Sequence, residues 1–255
     1  MKSIYRRASA RCLLVFSLGA LLATAHAEDT QPEPVLSFSG NTALWSRYMW
    51  RGLRFSNGSV WQSTLTAAHK SGVSLSLWKN YDFDTHRLNE VDCTIDYAFS
   101  VEGIACNLGW NHFGVIDGAD SDEIYLLAAW TKANWTIACA GYVDITYGDG
   151  AYTQVGVTRS FSFGESTTLK ITANAGSVWK NSYMGLNARG EEFNDFFAGE
   201  IVATLPIVLS PHFTIEPKVG YTFPLSRNAR QAISTYGFGT DTHTLYAAVV
   251  LNFSL

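Results

Sequence analysis

Four cysteines and six prolines in 255 residues are too few for a disulfide scaffold or a proline-rich low-complexity chain. Cys12 falls in the leader described below, which leaves Cys93, Cys106 and Cys139, an odd number. A hairpin turning at Glu102 would set Cys93 and Cys106 several residues out of register, beyond disulfide reach. All three therefore read as small apolar residues on an oily face. After residue 27 no segment approaches the roughly 18 uncharged apolar residues of a spanning helix. No amphipathic helix of three turns is evident either. A phosphate-binding P-loop, a dinucleotide fingerprint, a Cys/His zinc set and catalytic-triad spacing are all missing. The residues thus predict no cofactor, no metal site and no enzyme.

Basic residues are also scarce. The first 27 residues have a basic start (Lys2, Arg6, Arg7, Arg11), an apolar run from Leu13 to Ala23 and a small-x-small ending at Ala25-His26-Ala27. This is the pattern of a secretory signal cleaved before Glu28. Without it, 14 basic residues stand against 22 acidic ones, a formal charge of −8. An acidic exported chain has no electrostatic basis for binding nucleic acid. The expected organisation is a signal peptide (1–27), a short periplasmic segment (28–40) and one domain (41–255), with no linker dividing the rest.

What the chain does have is alternation. From Glu90, the residues Val91, Cys93, Ile95, Tyr97 and Phe99 fall on one face, with Glu90, Asp92, Thr94 and Asp96 on the other. After Val101-Glu102-Gly103 the pattern restarts with Ile104, Cys106, Leu108 and Trp110, so the unit is a β-hairpin with one oily and one wet side. Period-two runs recur at Thr42–Arg51, Val60–Lys70, Val73–Tyr81, Leu88–Ser100, Ile104–Phe113, Glu123–Thr131, Trp135–Asp144, Ala151–Ser162, Thr167–Trp179, Phe193–Leu209, Phe213–Phe223 and Thr244–Leu255. Most have the length that a tilted strand needs to cross a bilayer.

Connection lengths alternate without exception. Lys70-Ser71-Gly72, Val101-Glu102-Gly103, Lys132-Ala133-Asn134, Phe163 to Ser166 and Ser210-Pro211-His212 are tight. Between them lie the longer polar stretches Gly52–Ser59, Asp82–Arg87, Gly114–Asp122, Ile145–Gly150, Lys180–Glu192 and Pro224–His243. Short turns at one end and long loops at the other are the plan of an all-β, transmembrane, up-and-down antiparallel β-barrel of about 12 strands in a Gram-negative outer membrane. An even count puts both termini on the periplasmic side. Trp110, Trp130, Trp135, Trp179, Phe161 and Phe213 near run ends suit the two interfacial girdles.

Ionised groups in mid-strand belong inside, where they do not meet hydrocarbon. Glu90, Asp92, Asp96, Lys170, Glu200, Glu216 and Lys218 are accordingly expected to line the lumen. Arg47 and Arg51 share one face of the first run, opposite Tyr48 and Trp50, and two readings stand for them: pore-lining cations opposing Asp92 and Asp96, or members of a structural ion-pair network inside the barrel. Arg159 and Pro217 fall on outward phases, which predicts a bulge at either, or a snorkelling Arg159 at the periplasmic rim. Asn57-Gly58 reads as a turn with positive φ.

The segment Ser46-Arg47-Tyr48-Met49-Trp50-Arg51-Gly52-Leu53-Arg54-Phe55-Ser56-Asn57-Gly58, followed by Trp61-Gln62, resembles the opening signature of the TorF-like family of proteobacterial outer-membrane porins. That resemblance covers about 20 residues and implies an outer-membrane pore without naming a solute. Leu245 to Leu255 looks like the terminal signal read by the barrel-assembly machinery, although such signals usually end in Phe or Trp. Tyr152-Thr153-Gln154 and Ser56-Asn57-Gly58 resemble fragments of outer-membrane phospholipase motifs. Those enzymes need a His close before the Ser, where this chain has Arg54 and Phe55.

A barrel of this size predicts a narrow lumen that passes a small hydrophilic solute by diffusion, constricted by Lys180–Glu192 or Pro224–His243 folding inward. Its other partners would be outer-membrane lipid and lipopolysaccharide. The competing readings are a lipid hydrolase and a non-conducting surface or adhesion barrel. The acidic loop Asp117, Asp120, Asp122, Glu123 is a candidate for a divalent cation or lipopolysaccharide but lacks calcium-loop spacing.

Overall fold

The computed structural model describes residues 34–163 and 167–255. The leader at 1–27, and the turn expected at Phe163 to Ser166 except for Phe163 itself, lie outside them. Twelve long strands form the wall: β1 (Leu36–Trp45), β2 (Val60–His69), β3 (Val73–Asp82), β4 (Arg87–Val101), β5 (Ile104–Val115) and β6 (Ser121–Lys132). They are followed by β7 (Trp135–Asp144), β8 (Ala151–Phe163), β9 (Thr167–Trp179), β10 (Asn194–Thr204), β11 (Phe213–Pro224) and β12 (Thr244–Ser254). Each pairs antiparallel with its neighbours in chain order, and β1 also pairs with β12, from Ser39 opposite Ser254 to Trp45 opposite Ala248. The ladder closes on itself, so among the described residues each of the twelve long strands has a neighbour on both sides.

The burial pattern is inverted relative to a water-soluble protein. Leu65, Leu77, Ile95, Leu126, Ile137 and Val249 stand exposed on the outer surface, while Thr66, Asn80, Asp92, Asn111 and Glu123 are buried inside. Alternation places these sets on opposite faces of each strand, and a continuous exposed apolar band around a closed barrel is a surface made for hydrocarbon. Trp130, Trp135, Phe161 and Phe213 lie outward toward the short-turn end and Trp179 at the loop end. Trp110 departs from the girdle expectation: it stands in the middle of β5 and stacks on His112 with ring centroids 6.0 Å apart.

The β4–β5 hairpin closes through Glu102 (φ 49°) and Gly103 (φ 79°) with Val101 opposite Ile104. Cys93 accordingly faces His112 across the ladder and Cys106 faces Phe99. Arg159 keeps regular register on both sides, so no bulge forms there. Its guanidinium instead lies 4.7 Å from the Trp135 ring and 5.6 Å from that of Phe161, and bonds Asn134 in the neighbouring turn. This is the snorkelling arrangement.

Three expectations need correction. The first wall strand begins at Leu36, inside the segment assigned to 28–40, and ends at Trp45, so Arg47 and Arg51 lie beyond it. Alternation does continue from Thr42 to Arg51, but it belongs to two ladders: the wall as far as Trp45, then a small hairpin of Met49–Trp50 against Leu53–Arg54. The positive-φ turn falls at Arg51 (φ 50°) and Gly52 (φ 90°), which join that hairpin as a two-residue loop, and Asn57-Gly58 is a bend without positive φ. No bulge occurs at Pro217, which pairs with Val249 in unbroken register. What yields is the tenth run: β10 ends at Thr204, and after Leu205-Pro206 a short pair, Ile207–Val208, resumes the same register against β11. Leu205 N donates to the Pro217 carbonyl (3.0 Å), and proline has no N–H to return the bond.

The connection between β11 and β12 contains a helix, α1 (Arg227–Tyr236). Ser226 caps it by accepting from Ala229 N (3.1 Å), and its Ala229, Ala232 and Ile233 are buried. Its contacts run to β10, to β11 and to the small hairpin, so it sits across the loop end of the barrel.

Depth dependence tests the outward band. Leu126→Arg, at mid-strand and 51% exposed, should cost about 2–4 kcal/mol in vesicle refolding, whereas Leu245→Arg at the loop-end rim should cost about 0–1 kcal/mol. Equal costs would contradict the placement of this band in hydrocarbon.

Candidate functional site: the lumen and its inner hairpin

Inward phases of the wall collect most of the charge predicted from the sequence. Glu90, Asp92 and Asp96 follow one another on the inner face of β4, Lys170 occupies the inward phase of β9, Glu200 that of β10, and Glu216 and Lys218 that of β11. Glu216 and Lys218 pair with each other at 3.1 Å. All seven strand positions therefore fall on inward phases, whereas Arg47 and Arg51 lie beyond the wall strands.

Two of these carboxylates are held by one three-strand device. Tyr125 on β6 lies across Gly109 on β5, its cross-strand partner, and its hydroxyl donates to Asp96 on β4 (2.6 Å). Tyr246 on β12 likewise lies across Gly220 on β11 and donates to Glu200 on β10. A Cβ on either glycine would overlap the tyrosine ring, so glycine is what lets the phenol reach two strands away. Asn107 and Asn174 complete the pairs, donating to Asp96 (2.8 Å) and Glu200 (3.0 Å).

The loop end of the lumen is filled by the segment after β1. Phe55 N donates to Tyr48 O (2.8 Å) and Tyr48 N to Ser56 Oγ (2.8 Å), so the chain from Tyr48 to Phe55 forms a short hairpin folded into the barrel. Its apolar side chains, Trp50 and Leu53, join a buried cluster with Phe113, Met184 and Phe197, to which Ala229 and Ile233 of α1 also belong. The edge of the hairpin is tied to the residues after α1, because Phe238 N donates to Arg54 O (2.7 Å). Gly52 at the tip presses against Ala198 of β10.

Arg51, at the same tip, reaches the opposite wall. It forms a bidentate pair with Glu123 of β6 (2.7 and 2.8 Å), with the two side chains only 5% and 2% exposed. The guanidinium carbon lies 4.0 Å from the Tyr142 ring, 4.8 Å from Tyr152 and 4.5 Å from its neighbour Trp50. Tyr48 donates to Glu90. Burial first, then the Glu90 and Asp92 carboxylates, push the Tyr48 hydroxyl well above the ordinary tyrosine range, which keeps it a donor.

Arg51 thus enters the lumen from a loop rather than a wall strand, and its partner is Glu123, not the expected Asp92 or Asp96. Arg47 lies just past β1 and bonds the Ser46 carbonyl (2.7 Å). Sequence reasoning missed Glu123 as a lumen residue, assigning it to an acidic loop. The available signal was its phase with Tyr125 and Leu127, which continues the wet side of β6 by one step. The rest of that loop disperses: Asp117 pairs with Arg87, Asp120 accepts from Val115 N (3.0 Å) and Asp122 pairs with His112 (3.0 Å). Of the constrictions expected from Lys180–Glu192 and Pro224–His243, both contribute buried residues, Met184 and the inner face of α1. Ser56, the residue in the hydrolase-like fragment, is fully buried, with Oγ accepting from Tyr48 N and donating to Gly58 O (2.8 Å).

No family model matches the chain, and no curated protein matches it in sequence. Solved structures do. The NanC porin is 14% identical with a TM-score of 0.52, the alignment covering 86% of this chain and 100% of that one. The KdgM porin, solved also in complex with disordered oligogalacturonate, is 10% identical with a TM-score of 0.53, covering 86% and 99%. At such identities the likeness is one of fold: this chain has the twelve-strand barrel architecture of outer-membrane porins.

Two substitutions test the site. Glu123→Ala leaves Arg51 buried without its partner, an imbalance worth about 3–5 kcal/mol. It should release the hairpin, seen as at least about 100-fold faster amide exchange at Leu53 and Phe55. Gly220→Val should displace Tyr246 from Glu200 and lower stability to urea by about 1.5–3 kcal/mol, the value of a hydrogen bond to a charged group.

Proposed function

We propose that this chain, which has the fold of outer-membrane porins, is an outer-membrane channel for passive diffusion of small hydrophilic solutes, with both termini in the periplasm. The observation that carries this reading is the inner wall. Ionisable residues at mid-strand depth, Asp92, Asp96, Lys170, Glu200, Glu216 and Lys218, all point into the barrel. At membrane depth such residues are costly unless they line a polar pathway. The opening segment from Ser46 to Gly58 supports assignment to the TorF-like porins.

The same wall argues about charge. Inward carboxylates outnumber inward cations, so the lumen suits neutral and cationic solutes better than polyanions. An oligogalacturonate, which the KdgM porin was solved with, would meet repulsion here. Full burial of Ser56 in a turn, without a preceding histidine, supports a non-enzymatic role.

Close packing of the hairpin and α1 at the loop end favours a second reading, a barrel that does not conduct. Planar-bilayer recording separates the two. The channel reading expects discrete conductance steps in KCl with a reversal potential favouring the cation, and Glu123→Ala should raise conductance by freeing the hairpin. Absence of steps at any voltage, in the wild type and in Glu123→Ala alike, would overturn it.

A further inference from the structure

The interior places an aromatic and acidic cage around Arg51 that does not depend on Arg51 for its own walls. Tyr142 belongs to β7, Tyr152 to β8 and Glu123 to β6. These three adjacent strands are tied by continuous ladders, with Tyr125 opposite Tyr142 and Tyr142 opposite Tyr152. Arg51 and Trp50, by contrast, sit on a hairpin held to the wall by side-chain contacts and not by ladder pairing with any barrel strand. Withdrawal of that hairpin removes the guanidinium and one ring. It leaves two ring faces, a carboxylate that is 2% exposed in the closed form, and Asn111 within 3.4 Å of that carboxylate.

We infer that Tyr142, Tyr152 and Glu123 form a binding site for an organic cation of the guanidinium or primary-amine class, and that Arg51 is a tethered ligand of the chain's own occupying it. This rests on the channel reading and deepens it by naming the solute class. The chemistry selects the class. Ring faces 4.0 and 4.8 Å from the cationic carbon attract weakly hydrated planar or alkyl cations, whereas a small hard metal ion would lose more hydration than the rings return. The bidentate carboxylate geometry, 2.7 and 2.8 Å, matches the two parallel N–H donors of a guanidinium. Inward carboxylates elsewhere on the wall, Asp92, Asp96 and Glu200, favour the same charge. A tethered ligand competes at high effective concentration. In the wild type the site is therefore masked, and a diffusing cation must displace the hairpin to enter.

Refolded protein in detergent micelles, titrated with methylguanidinium chloride and followed by tyrosine and tryptophan fluorescence, tests this, with NaCl at equal ionic strength as reference. Arg51→Ala should bind methylguanidinium at least about tenfold more tightly than the wild type, and Arg51→Ala with Glu123→Gln should lose that gain. No gain in Arg51→Ala, or an equal gain in the double variant, would overturn the site. Heat-modifiable mobility shows whether each variant folds. If Arg51→Ala does not, Arg51→Gln is titrated in its place. Should neither fold, rescue of folding by methylguanidinium in the refolding buffer supports the inference, and failure of rescue overturns it. Conductance in KCl, recorded on the same preparations, reports on the channel reading alone. A conducting protein without a guanidinium site sinks only this inference, and a guanidinium site without conductance sinks only the channel.

Discussion

Hydrocarbon offers no hydrogen bonds, and that single fact organises the whole chain. Every backbone N–H and C=O of a lipid-facing strand must find its partner within the protein, so the sheet has to close, as it does between β1 and β12. Closure fixes which side of each strand meets lipid. Alternation then sends Leu77 and Leu126 outward and Asp92 and Glu123 inward. The tolerated exceptions are local and compensated. Arg159 is carried to the turn end beside Trp135, and the proline positions 206 and 217 cost the wall a ladder bond without shifting its register.

With its charges inside, the barrel must deal with them, and it does so in two ways. Along the wall, carboxylates are held by groups built into the strands: tyrosines reach over glycines to Asp96 and Glu200, and Lys218 pairs with Glu216. At the loop end one carboxylate, Glu123, is neutralised instead by a cation delivered from outside the wall. The difference matters because a donor built into a strand is permanent, whereas a hairpin joined by packing, a few hydrogen bonds and one ion pair has a separate stability of its own. A closed mouth and a polar path behind it are thus compatible features of one molecule.

Period-two spacing was enough to place the strands from Val60 onward within a few residues, to separate the faces, and to name seven inward ionised groups, because alternation along a strand is a local property that lipid enforces at every step. The Thr42–Arg51 run shows the limit. Alternation cannot tell a wall strand from a hairpin that continues in the same phase, and the two-residue turn at Arg51-Gly52 lacks the Asn-Gly spelling that would have announced it. Helix α1 was hidden for a similar reason: in a polar loop its short buried face, Ala229, Ala232 and Ile233, is too brief to register as a periodic stripe.

The amino-acid order by itself thus determined the closed, inside-out barrel, its polar interior and the end at which the loops gather, since each follows from neighbours two residues apart and from the lengths between runs. Only the tertiary structure decided that Arg51 crosses the lumen to Glu123, 72 positions away, among Trp50, Tyr142 and Tyr152. That meeting depends on where a loop comes to rest inside a space that twelve strands create together, and no local pattern encodes it.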